Sequence, residues 1–579
     1  MTVAGAAEAE LLLRVLSALL REDVVGLRSL STAIERADGT WLRREIPGPD
    51  ALLLPVREDG FQSAWAARKP LLRRESTGAE LTDHEGVLAE LRALAAPEDR
   101  GGFDAFAEEC RRTRDTVRLH AGTQDEVLRT LAARRGPDPA HWTGLDGGLA
   151  LDTLAARHDH PVYPTARGRS GLGAGELRAY APEFHPRFAL RWLALPREAV
   201  TVEGALTGPP PSALGLPGLD GSHVALPVHP LTVAGPLADA VRAAGLGGRA
   251  VLAGRPYLDV VPTLSMRTVA LAGRPDVHLK LPLATSTLGR LNRRTIKPGT
   301  LVDGSAVQRL LASVTAREPR FRDTVLHADE TRFAHAGHEL LAVLLRRCPT
   351  GLDSCVVVPM AALLSPAPGG RLVLDHLADR FYGGDPLTLL DAVLTLLFDW
   401  QTTLFGYGIA LESHQQNVSL VLDGASDGPR LRLLLKDNDG PRINGDRLRA
   451  ALGADAPDPA EFDDRRIFTD GDGPVADLFT TITVHLCAGA YAFALARHGR
   501  APLDRLLRLV RDRLAEAVER LGTRPGEPGA VLRARVLDAD RLPVKAMVTA
   551  GTLLAKERSG ASDINKHYTT GPNYLLRGV

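Results

Sequence analysis

ESHQQNVSLVLDGASDGPRLRLLLKDNDG, residues 412–440, is the stretch of sequence from which the fold is most readily read. Its two apolar runs, NVSLVL at 417–422 and LRLLLK at 431–436, flank the turn-rich segment DGASDGPR. Short β-prone runs on either side of Gly, Asp and Pro residues are typical of an antiparallel hairpin, here with an extended loop. Such a hairpin brings the polar segment at the start of its first strand close to the polar segment at the end of its second.

The mouth of this hairpin collects groups that suit a metal ion. Its polar residues are Glu412, His414, Gln416, Asn417, Asp437 and Asp439. Oxygen ligands of this type suit Mg²⁺, which takes a few protein ligands and leaves its other positions to water and phosphate oxygens. We therefore predict a Mg²⁺ site at Glu412, Asp437 and Asp439. The alternative is a polar hairpin rim with Asp-Asn-Asp-Gly as a turn, which does not account for Glu-x-His-x-Gln-Asn next to a strand.

A second cluster of hydrogen-bond donors lies in PTLSMRT, HLK and STLGR, between residues 262 and 290. Its members are Ser265, Arg267, Thr268, Lys280, Ser286 and Arg290. Residues two apart in a strand share a face, so a strand would place Ser265 beside Arg267. We expect a donor-rich surface without nearby acids, as a polyphosphate needs. The alternative is a solvated basic loop, against which the surrounding apolar runs argue.

Two proline-bounded segments are candidates for binding. HPVYPTARGRSG at 160–171 carries His160, Arg167 and Arg169, and PVHP occupies 227–230. Proline fixes turns and holds an adjacent His or Arg rigidly. That property suits a binding site and equally suits any structured loop, so the two interpretations stay open.

Composition and charge exclude several classes of protein. The 579 residues include 70 basic and 70 acidic side chains, so no net field holds a polyanion and we expect no nucleic-acid binding. Four dispersed cysteines fit a reducing compartment. The N-terminus lacks a basic signal-peptide region, and the apolar stretch at 387–405 is broken by Asp391 and Asp399. These features predict a soluble, cytoplasmic protein without a membrane span.

Hydrophobic periodicity predicts three regions. We expect residues 1–150 to be mostly helical and residues 151–370 to be mixed, with short β-prone runs. Residues 371–579 would alternate a long helix at 386–405, the strand pair and an amphipathic helix at 502–521. The architecture is therefore α+β or mixed α/β in two or three lobes, and α+β is the class that we predict.

Taken together and in order, these segments resemble the siderophore synthetases that work independently of nonribosomal peptide synthetases, whose founding members are the aerobactin synthetases. HPVYPTARGRSG looks like that family's HPxHPxxKxRxG, YAPEF like its YxPEF, and PVHP like its HPxHPWQ. PTLSMRT, HLKLPL and STLGR look like its SxRT, hxKLxL and TSxxR, while ESHQQN and KDNDG look like its EAHxQN and RDxxG. The resemblance spans about residues 158 to 555.

Four residues, in three motifs, depart from the family pattern. Tyr163 stands where the family usually has His, and Lys436 replaces Arg ahead of Asp437. Leu231 and Thr232 follow PVHP where Trp-Gln is expected. These departures leave the identity of the carboxylate substrate, citrate included, open.

The resemblance implies an ATP- and Mg²⁺-dependent ligase with a cupped-hand shape, whose lobes are called thumb, fingers and palm. Such enzymes activate a carboxylate, commonly citrate or a citryl or dicarboxylate derivative, as an acyl adenylate and pass it to an amine or hydroxyl. Their activity serves siderophore production and iron acquisition. Family members are often dimeric, so a homodimer is possible here.

The resemblance also implies roles for individual residues. Those lining the nucleotide and metal site would be Ser265, Arg267, Thr268, Lys280, His414, Gln416, Asn417 and Asp437. Those facing the carboxylate would be His160, Arg167, Arg169, Ser286 and Arg290. Lys280, Arg290 and His414 would take part in catalysis.

Two functions from other classes remain as alternatives. A small-molecule kinase is one, because residues 414–417 followed by Asp437-Asn-Asp-Gly loosely mimic a kinase catalytic loop and its metal-binding Asp-x-Gly. Against it, no Asp occupies the base position and no glycine-rich loop opens the chain. The other is a non-catalytic nucleotide-binding protein, against which an intact set of charged donors argues only weakly.

Overall fold

The first region contains a sheet that the sequence analysis did not predict. A computed structural model of the chain describes residues 3–206, 208–425, 428–555, 558 and 567–578. The helices of this region are α1 (Val3–Arg21), α2 (His84–Leu94) and α3 (Arg100–Arg135). Its strands are β1 (Ser31–Arg36), β2 (Gly39–Ile46), β3 (Asp50–Glu58), β4 (Trp65–Ala67), β5 (Leu72–Arg74) and β6 (Glu80–Leu81). They form one antiparallel sheet in the order β1-β2-β3-β5-β6, with β4 also paired to β3.

Helices α1, α2 and α3 still contain more residues of this region than its strands do, so the sheet is an addition to the expected helices. Residues 51–56 of β3 are buried in succession, so this strand lacks the alternation of apolar and polar residues by which a half-buried strand is recognised. A continuous apolar run cannot be distinguished from a buried helix by periodicity alone.

The second region is built on a large, mainly antiparallel sheet. Its helices are α4 (Gly144–Ala156), α5 (Ala174–Tyr180), α6 (Pro230–Val233), α7 (Pro236–Ala243) and α8 (Pro298–Arg317). Its strands are β7 (Phe188–Pro196), β8 (Thr201–Glu203), β9 (His223–Val228), β10 (Val251–Leu252), β11 (Tyr257–Pro262), β12 (Thr268–Leu271), β13 (Arg274–Lys280), β14 (Val325–His327), β15 (Asp329–His335), β16 (Ala342–Arg347) and β17 (Val356–Pro359). Nine of them pair in the order β10-β7-β11-β12-β13-β16-β15-β8, with β9 beside β7.

The third region is predominantly helical. Its helices are α9 (Val373–Phe381), α10 (Pro386–Gly406), α11 (Gly445–Leu452), α12 (Gly473–Phe479), α13 (Ala490–Arg497), α14 (Leu503–Glu519) and α15 (Pro528–Leu532). Its strands are β18 (Ile409–Ala410), β19 (Val418–Ala425), β20 (Gly428–Leu435), β21 (Arg442–Asn444), β22 (Phe468–Thr469), β23 (Arg541–Lys545) and β24 (Tyr568–Pro572). The long helix predicted at 386–405 and the amphipathic helix predicted at 502–521 are confirmed as α10 and α14.

The predicted hairpin is confirmed as β19 and β20. They pair antiparallel from Val418 with Leu435 to Ala425 with Gly428. Because pairing continues through residues 423–430, the extended loop expected there is wrong; residues 426 and 427 lie outside the described part of the chain. The hairpin is the centre of a four-stranded sheet, β14-β20-β19-β17, in which β14 runs parallel to β20.

Helix α10 forms the centre of the main hydrophobic core. It begins cleanly because Asp385 accepts the amide of Leu387 at 2.9 Å and Pro386 occupies the first helical position. Its buried face includes Trp400 and Phe405, which pack in the same cluster as residues of α14 and of β20. Strand β20 of the hairpin therefore packs on this core.

Among the described residues, one continuous helical segment is long and apolar enough to cross a membrane by length and composition, and the pair Val373–Phe381 and Pro386–Gly406, bent by 91°, passes the same test only when taken together. The continuous segment is Gly473–Arg497, with a mean hydropathy of 1.6 over its most apolar window. This segment differs from the apolar stretch at 387–405 that was considered from the sequence. The whole of that window is buried inside the protein, as in a core helix.

Candidate active site

A cavity of about 390 Å³ lies where the hairpin mouth, the turn after β11 and the segment after α4 meet. Its volume falls within the usual range for small-molecule sites, about 300–1,000 Å³. The residues predicted from sequence that line it are His160, Arg167, Arg169, Ser265, Arg267, Glu412, His414, Gln416, Asn417, Asp437 and Asp439. Segments that are far apart in the sequence thus form one site.

The hairpin mouth is organised by its own hydrogen bonds. The amide of Asn417 donates to His414 O at 2.8 Å, and Asn417 Nδ2 donates to Glu412 O at 3.0 Å. The amide of Lys436 donates to Asn417 O at 3.1 Å, which connects the two polar segments directly. Both segments therefore reach the same cavity, as the hairpin predicted.

Lys280 stands behind the cavity wall and binds two carboxylates of the hairpin. It is the last residue of β13, and its side chain is 4% exposed. Its ammonium donates to Asp437 and, at 3.1 Å, to Asp439 Oδ2. The expected donor surface without nearby acids is therefore wrong, because the fold brings acids from a distant segment to Lys280.

A buried ion pair supports Asp437 from the neighbouring strands. Arg346 of β16 pairs with Glu330 of β15 and lies 3.5 Å from Asp437 Oδ1. Glu330 also accepts the amide of Asp437 at 3.0 and 3.1 Å. Burial alone would raise the pKa of Asp437, but Lys280 and the nearby arginines lower it well below its ordinary value. Asp437 is thus held as an anion.

Ser265 and Arg267 lie in the turn between β11 and β12, not in a strand as predicted. Met266, at the tip, has a positive φ of 62°, which turns the chain sharply. Arg267 Nη1 donates to Thr295 O at 2.7 Å, and Ser265 Oγ lies 3.2 Å from Thr268 Oγ1. Thr268 is fully buried at the start of β12, so it supports the turn from behind.

The arginine that the structure places in the cavity is Arg294, not the predicted Arg290. Arg290 is exposed, and its amide donates to Thr552 Oγ1 at 3.1 Å. Ser286 is also displaced, because its hydroxyl donates to Ser170 Oγ at 2.9 Å in a small crevice beside Glu109. Burial and the neighbouring Arg267 lower the pKa of Arg294 to about 9, which still leaves it charged at pH 7.

The proline-bounded segment at 160–171 supplies arginines that already have acidic partners. Arg169 Nη2 lies 2.5 Å from Glu183 Oε1, and both side chains are buried. Arg167 Nε lies 2.8 Å from Asp159 Oδ1. By contrast, no salt bridge to Arg267 or Arg294 is found among the described residues. The free cationic groups of the cavity are therefore on the loops that follow β11 and β13.

The two predicted histidines of the cavity, His160 and His414, are neutral at pH 7, as is the third lining histidine, His158, whose pKa burial lowers to about 4. Burial, reinforced by Lys545, lowers the pKa of His414 to about 4. Burial, reinforced by His414, lowers the pKa of His160 to about 3. His160 Nδ1 accepts the amide of Tyr163 at 3.0 Å and His414 Nδ1 accepts that of Gln416 at 3.3 Å, so each ring carries its proton on Nε2. Both rings are hydrogen-bond donors through Nε2.

Within the described residues, no group of three or more His, Cys, Asp and Glu side chains is close enough to hold a metal ion by itself. Glu412 lies 3.4 Å from Lys545 Nζ, while Asp437 and Asp439 share Lys280. A Mg²⁺ ion commonly takes one or two carboxylates together with substrate phosphates. Asp437 and Asp439 fit that pattern; the predicted three-carboxylate site does not form.

Four cavity residues with charged side chains are not among the site residues predicted from the sequence. They are Asp159, Glu183, Arg294 and Lys545. Lys545 carried a usable signal, since it ends the apolar strand β23 and is 8% exposed. Arg294 could not be singled out from the sequence, because it lies in a loop with Arg290 and Arg293.

The other proline-bounded segment, PVHP, is structural. His229 is fully buried against Tyr180 and Phe188, with ring centroids 5.4 and 5.1 Å away. Its Nδ1 accepts the amide of Leu231 at 3.1 Å, which starts α6. Tyr163, the first departure from the family pattern, is also fully buried, so its ring contributes to the support of the cavity.

Two family models match parts of this chain. Residues 149–365 match the IucA / IucC family, and residues 388–560 match a family described as ferric iron reductase FhuF-like transporter. Aerobactin synthase of Escherichia coli is 28% identical over 349 residues, 54% of this chain and 58% of that protein. Over residues 149–365 this chain is therefore similar to the IucA / IucC family, and its relatives include a siderophore synthase.

Other relatives match different shares of the chain. Staphyloferrin B synthase of Staphylococcus aureus is 24% identical over 50% of this chain and 53% of its own length. Rhizobactin siderophore biosynthesis protein RhbC of Rhizobium meliloti is 26% identical over 82% of this chain and 83% of its own. The chain spans 53% to 65% of the length of the curated relatives that it matches first.

Solved structures of two siderophore biosynthesis proteins share the fold. Petrobactin biosynthesis protein AsbB of Bacillus anthracis superposes with a TM-score of 0.76 at 17% identity, over 99% of this chain and 96% of that one. Aerobactin synthetase IucC of Klebsiella pneumoniae gives 0.69 at 22% identity, over 99% of both chains. The predicted mixture of helices and antiparallel sheets is thus confirmed.

Proposed function

We propose that this chain is an ATP-dependent ligase of siderophore biosynthesis. It would activate a carboxylate, citrate or a related polycarboxylic or dicarboxylic acid, as an acyl adenylate and condense it with an amine or hydroxyl. The observation that carries the proposal is the position of Arg267 and Arg294, two guanidinium groups that line one cavity beside Asp437 and Asp439. A triphosphate with its metal ion needs this combination of free cations and carboxylates.

The first half-reaction suits these groups. A carboxylate oxygen attacks the α-phosphorus, a phosphorus–oxygen bond to the β-phosphate breaks, and pyrophosphate leaves. Negative charge grows on the phosphoryl oxygens during this step, and cations already held in place lower its barrier. Arg267 and Arg294 are the groups that we assign to this role, with Lys280 holding Asp437 and Asp439 in position.

Mg²⁺ would be held by Asp437 and Asp439 and would supply charge neutralisation at the phosphates. The carboxylate substrate would lie toward His160, Arg167 and Arg169, on the part of the cavity wall formed by residues 160–169. Holding two anions in a reactive geometry is itself catalytic, by roughly 7–11 kcal/mol in ideal cases. His414 and His160 would contribute neutral Nε2–H donors.

In the second half-reaction the amine or hydroxyl attacks the acyl carbon, and AMP leaves with the electrons of the acyl–phosphate bond. We further propose that the enzyme works in the cytoplasm on small molecules, without nucleic-acid or membrane partners, and serves iron acquisition. We also propose a cupped-hand arrangement of thumb, fingers and palm, and a homodimer.

The match of residues 388–560 to the ferric reductase family does not lead us to propose a reductase. A four-cysteine iron–sulfur cluster needs four thiolates, and this segment contains a single cysteine, Cys487. Its buried thiol donates to Ser413 O at 3.3 Å. Cys487 therefore supports the hairpin mouth.

One assay tests the proposed function. The chain is incubated with ATP, Mg²⁺, hydroxylamine and each of a panel of polycarboxylates, and the nucleotide product is identified. AMP, pyrophosphate and a hydroxamate support the ligase, whereas ADP would identify a kinase. ATP binding without turnover of any panel member would favour a non-catalytic protein. Asp437→Asn should abolish the hydroxamate, while Asp423→Asn, in the same hairpin but outside the cavity, should preserve it.

A further inference from the structure

One face of helix α1 binds loops of the cavity. Arg14 and Arg21 are seven residues, about two turns, apart and so lie on the same side of the helix, and Glu22 follows directly after its end. Arg14 Nη2 donates to the carbonyl oxygens of His160 at 3.0 Å and Tyr163 at 3.2 Å. Arg21 donates to the carbonyl of Val162 between them. The turn that carries His160 is therefore held by two guanidinium groups from the N-terminal helix.

Arg14 also binds Asp159, the acidic partner of Arg167. Arg14 Nη1 pairs with Asp159 Oδ1, the same oxygen that Arg167 Nε contacts at 2.8 Å. Burial alone would raise the pKa of Asp159, but Arg14 and Arg167 lower it to about 2, so it remains an anion. If Arg14 were absent, Asp159 would pair with Arg167 alone and would draw its guanidinium out of reach of a substrate anion.

The residue that follows this helix binds the opposite wall. Glu22 accepts the amides of Val548 at 3.1 Å and Thr549 at 2.8 Å, just beyond the cavity residue Met547. On the other side of the turn, Tyr163 donates its hydroxyl to Glu109 of α3 at 3.2 Å. The turn at 159–163 is thus fixed from two helices, and α1 fixes it at the residues nearest the cavity.

We propose that Arg14 is a positioning residue for the carboxylate substrate: it sets the places of His160 and Arg167 by holding their backbone turn and by sharing Asp159. The naming of that substrate rests on the proposed function. The residue is 19% exposed and lies outside the segments that resemble family motifs, so its effect is indirect, through the groups it holds.

The experiment compares Arg14→Met, Arg14→Lys and Arg118→Met with the wild type. Arg118 is the matched control, because it joins α3 to α1 through Glu8 at 2.6 Å on an exposed face. Hydrogen exchange is measured on peptides covering residues 159–169, and KM is measured separately for ATP and for the carboxylate.

We expect Arg14→Met to increase deuterium uptake in 159–169 and to raise KM for the carboxylate by about tenfold, with KM for ATP within about twofold. Arg14→Lys should recover only part of this, because an ammonium cannot reach three acceptors as the planar guanidinium does. Arg118→Met should match the wild type in both measurements.

Unchanged exchange in Arg14→Met would overturn the proposal, even if the wild type proves to have no ligase activity. Increased exchange with equal changes in both KM values would also overturn it, since that pattern belongs to general loosening. A wild type that forms no acyl adenylate would refute the proposed function alone, because the exchange result still decides whether Arg14 holds the turn.

Discussion

Lys280 Nζ lies 3.1 Å from Asp439 Oδ2, and this contact joins the end of β13 to the mouth of the hairpin across 159 residues of sequence. The same ammonium binds Asp437. The large sheet and the hairpin are therefore connected by charged groups at the point where the cavity opens.

Replacing Lys280 by Met should destabilise the protein and stop turnover. Removing one partner of a buried ion pair leaves the other charges uncompensated, at a cost of about 3–5 kcal/mol. We expect a lower Tm by calorimetry and no hydroxamate product. Lys69→Met is the control, since that lysine pairs with Asp38 at an exposed site. Wild-type Tm and turnover in the Lys280 variant would contradict the site described above.

Arg294 and Arg290 offer a matched pair of substitutions. Arg294→Ala removes a free cation from the cavity and should lower kcat by about 10² or more, as loss of a transition-state donor does. Arg290→Ala removes an exposed side chain and should leave kcat within about twofold. Steady-state rates of AMP release distinguish the two. If Arg290→Ala lowered kcat more than Arg294→Ala, the assignment of Arg294 would be wrong and that of Arg290, indicated by the sequence motif, would be right.

Glu330 should matter for stability and for activity. Glu330→Gln leaves Arg346 without its acidic partner and weakens the acceptor of the Asp437 amide. We expect the free energy of unfolding to fall by about 3–5 kcal/mol, measured by urea titration. The double variant Glu330→Leu with Arg346→Met should recover much of that stability but not the turnover. Recovery of both would show that the pair does not position Asp437.

Buried histidines should make the fold sensitive to mild acid. Burial, reinforced by Arg346 and Lys436, lowers the pKa of His278 to about 3, against about 6.5 in an unfolded chain. The unfolded state takes up this proton first, so the contribution of His278 is full above pH 6.5 and is lost as pH falls toward 3. The loss is about 2 kcal/mol at pH 5.

The urea midpoint of the wild type should therefore drop more between pH 7 and pH 5 than that of His278→Gln. His141→Gln, at an exposed histidine, should behave as the wild type does. Equal slopes in all three proteins would show that His278 is not held neutral by the fold.

Features that depend on neighbours in the sequence were predictable. The hairpin follows from two β-prone runs around a turn, and α10 follows from its length, its Asp385 cap and its apolar face. The mouth of the hairpin was predictable for the same reason, because antiparallel pairing determines which polar residues meet. The resemblance to family motifs depended on the order in which these segments occur along the chain.

Features that depend on long-range packing were not predictable. The partnership of Lys280 with Asp437 requires the register of β13 in the sheet as well as the position of the hairpin. The choice between Arg290 and Arg294 depends on how the loop after β13 folds back, which no periodicity encodes. Ser265 and Arg267 were assigned to a strand because apolar runs flank a turn whose tip, Met266, has no turn-forming side chain.

The cavity wall is completed by Lys545 and Met547, long after its first residue, Ala155, in the order of synthesis. A nascent chain that has the first motifs, the hairpin and both free arginines still lacks part of the enclosure. A fragment that ends before residue 541 lacks these two lining residues. The enclosed cavity therefore depends on residues 541–549 as well as on the motifs that precede them.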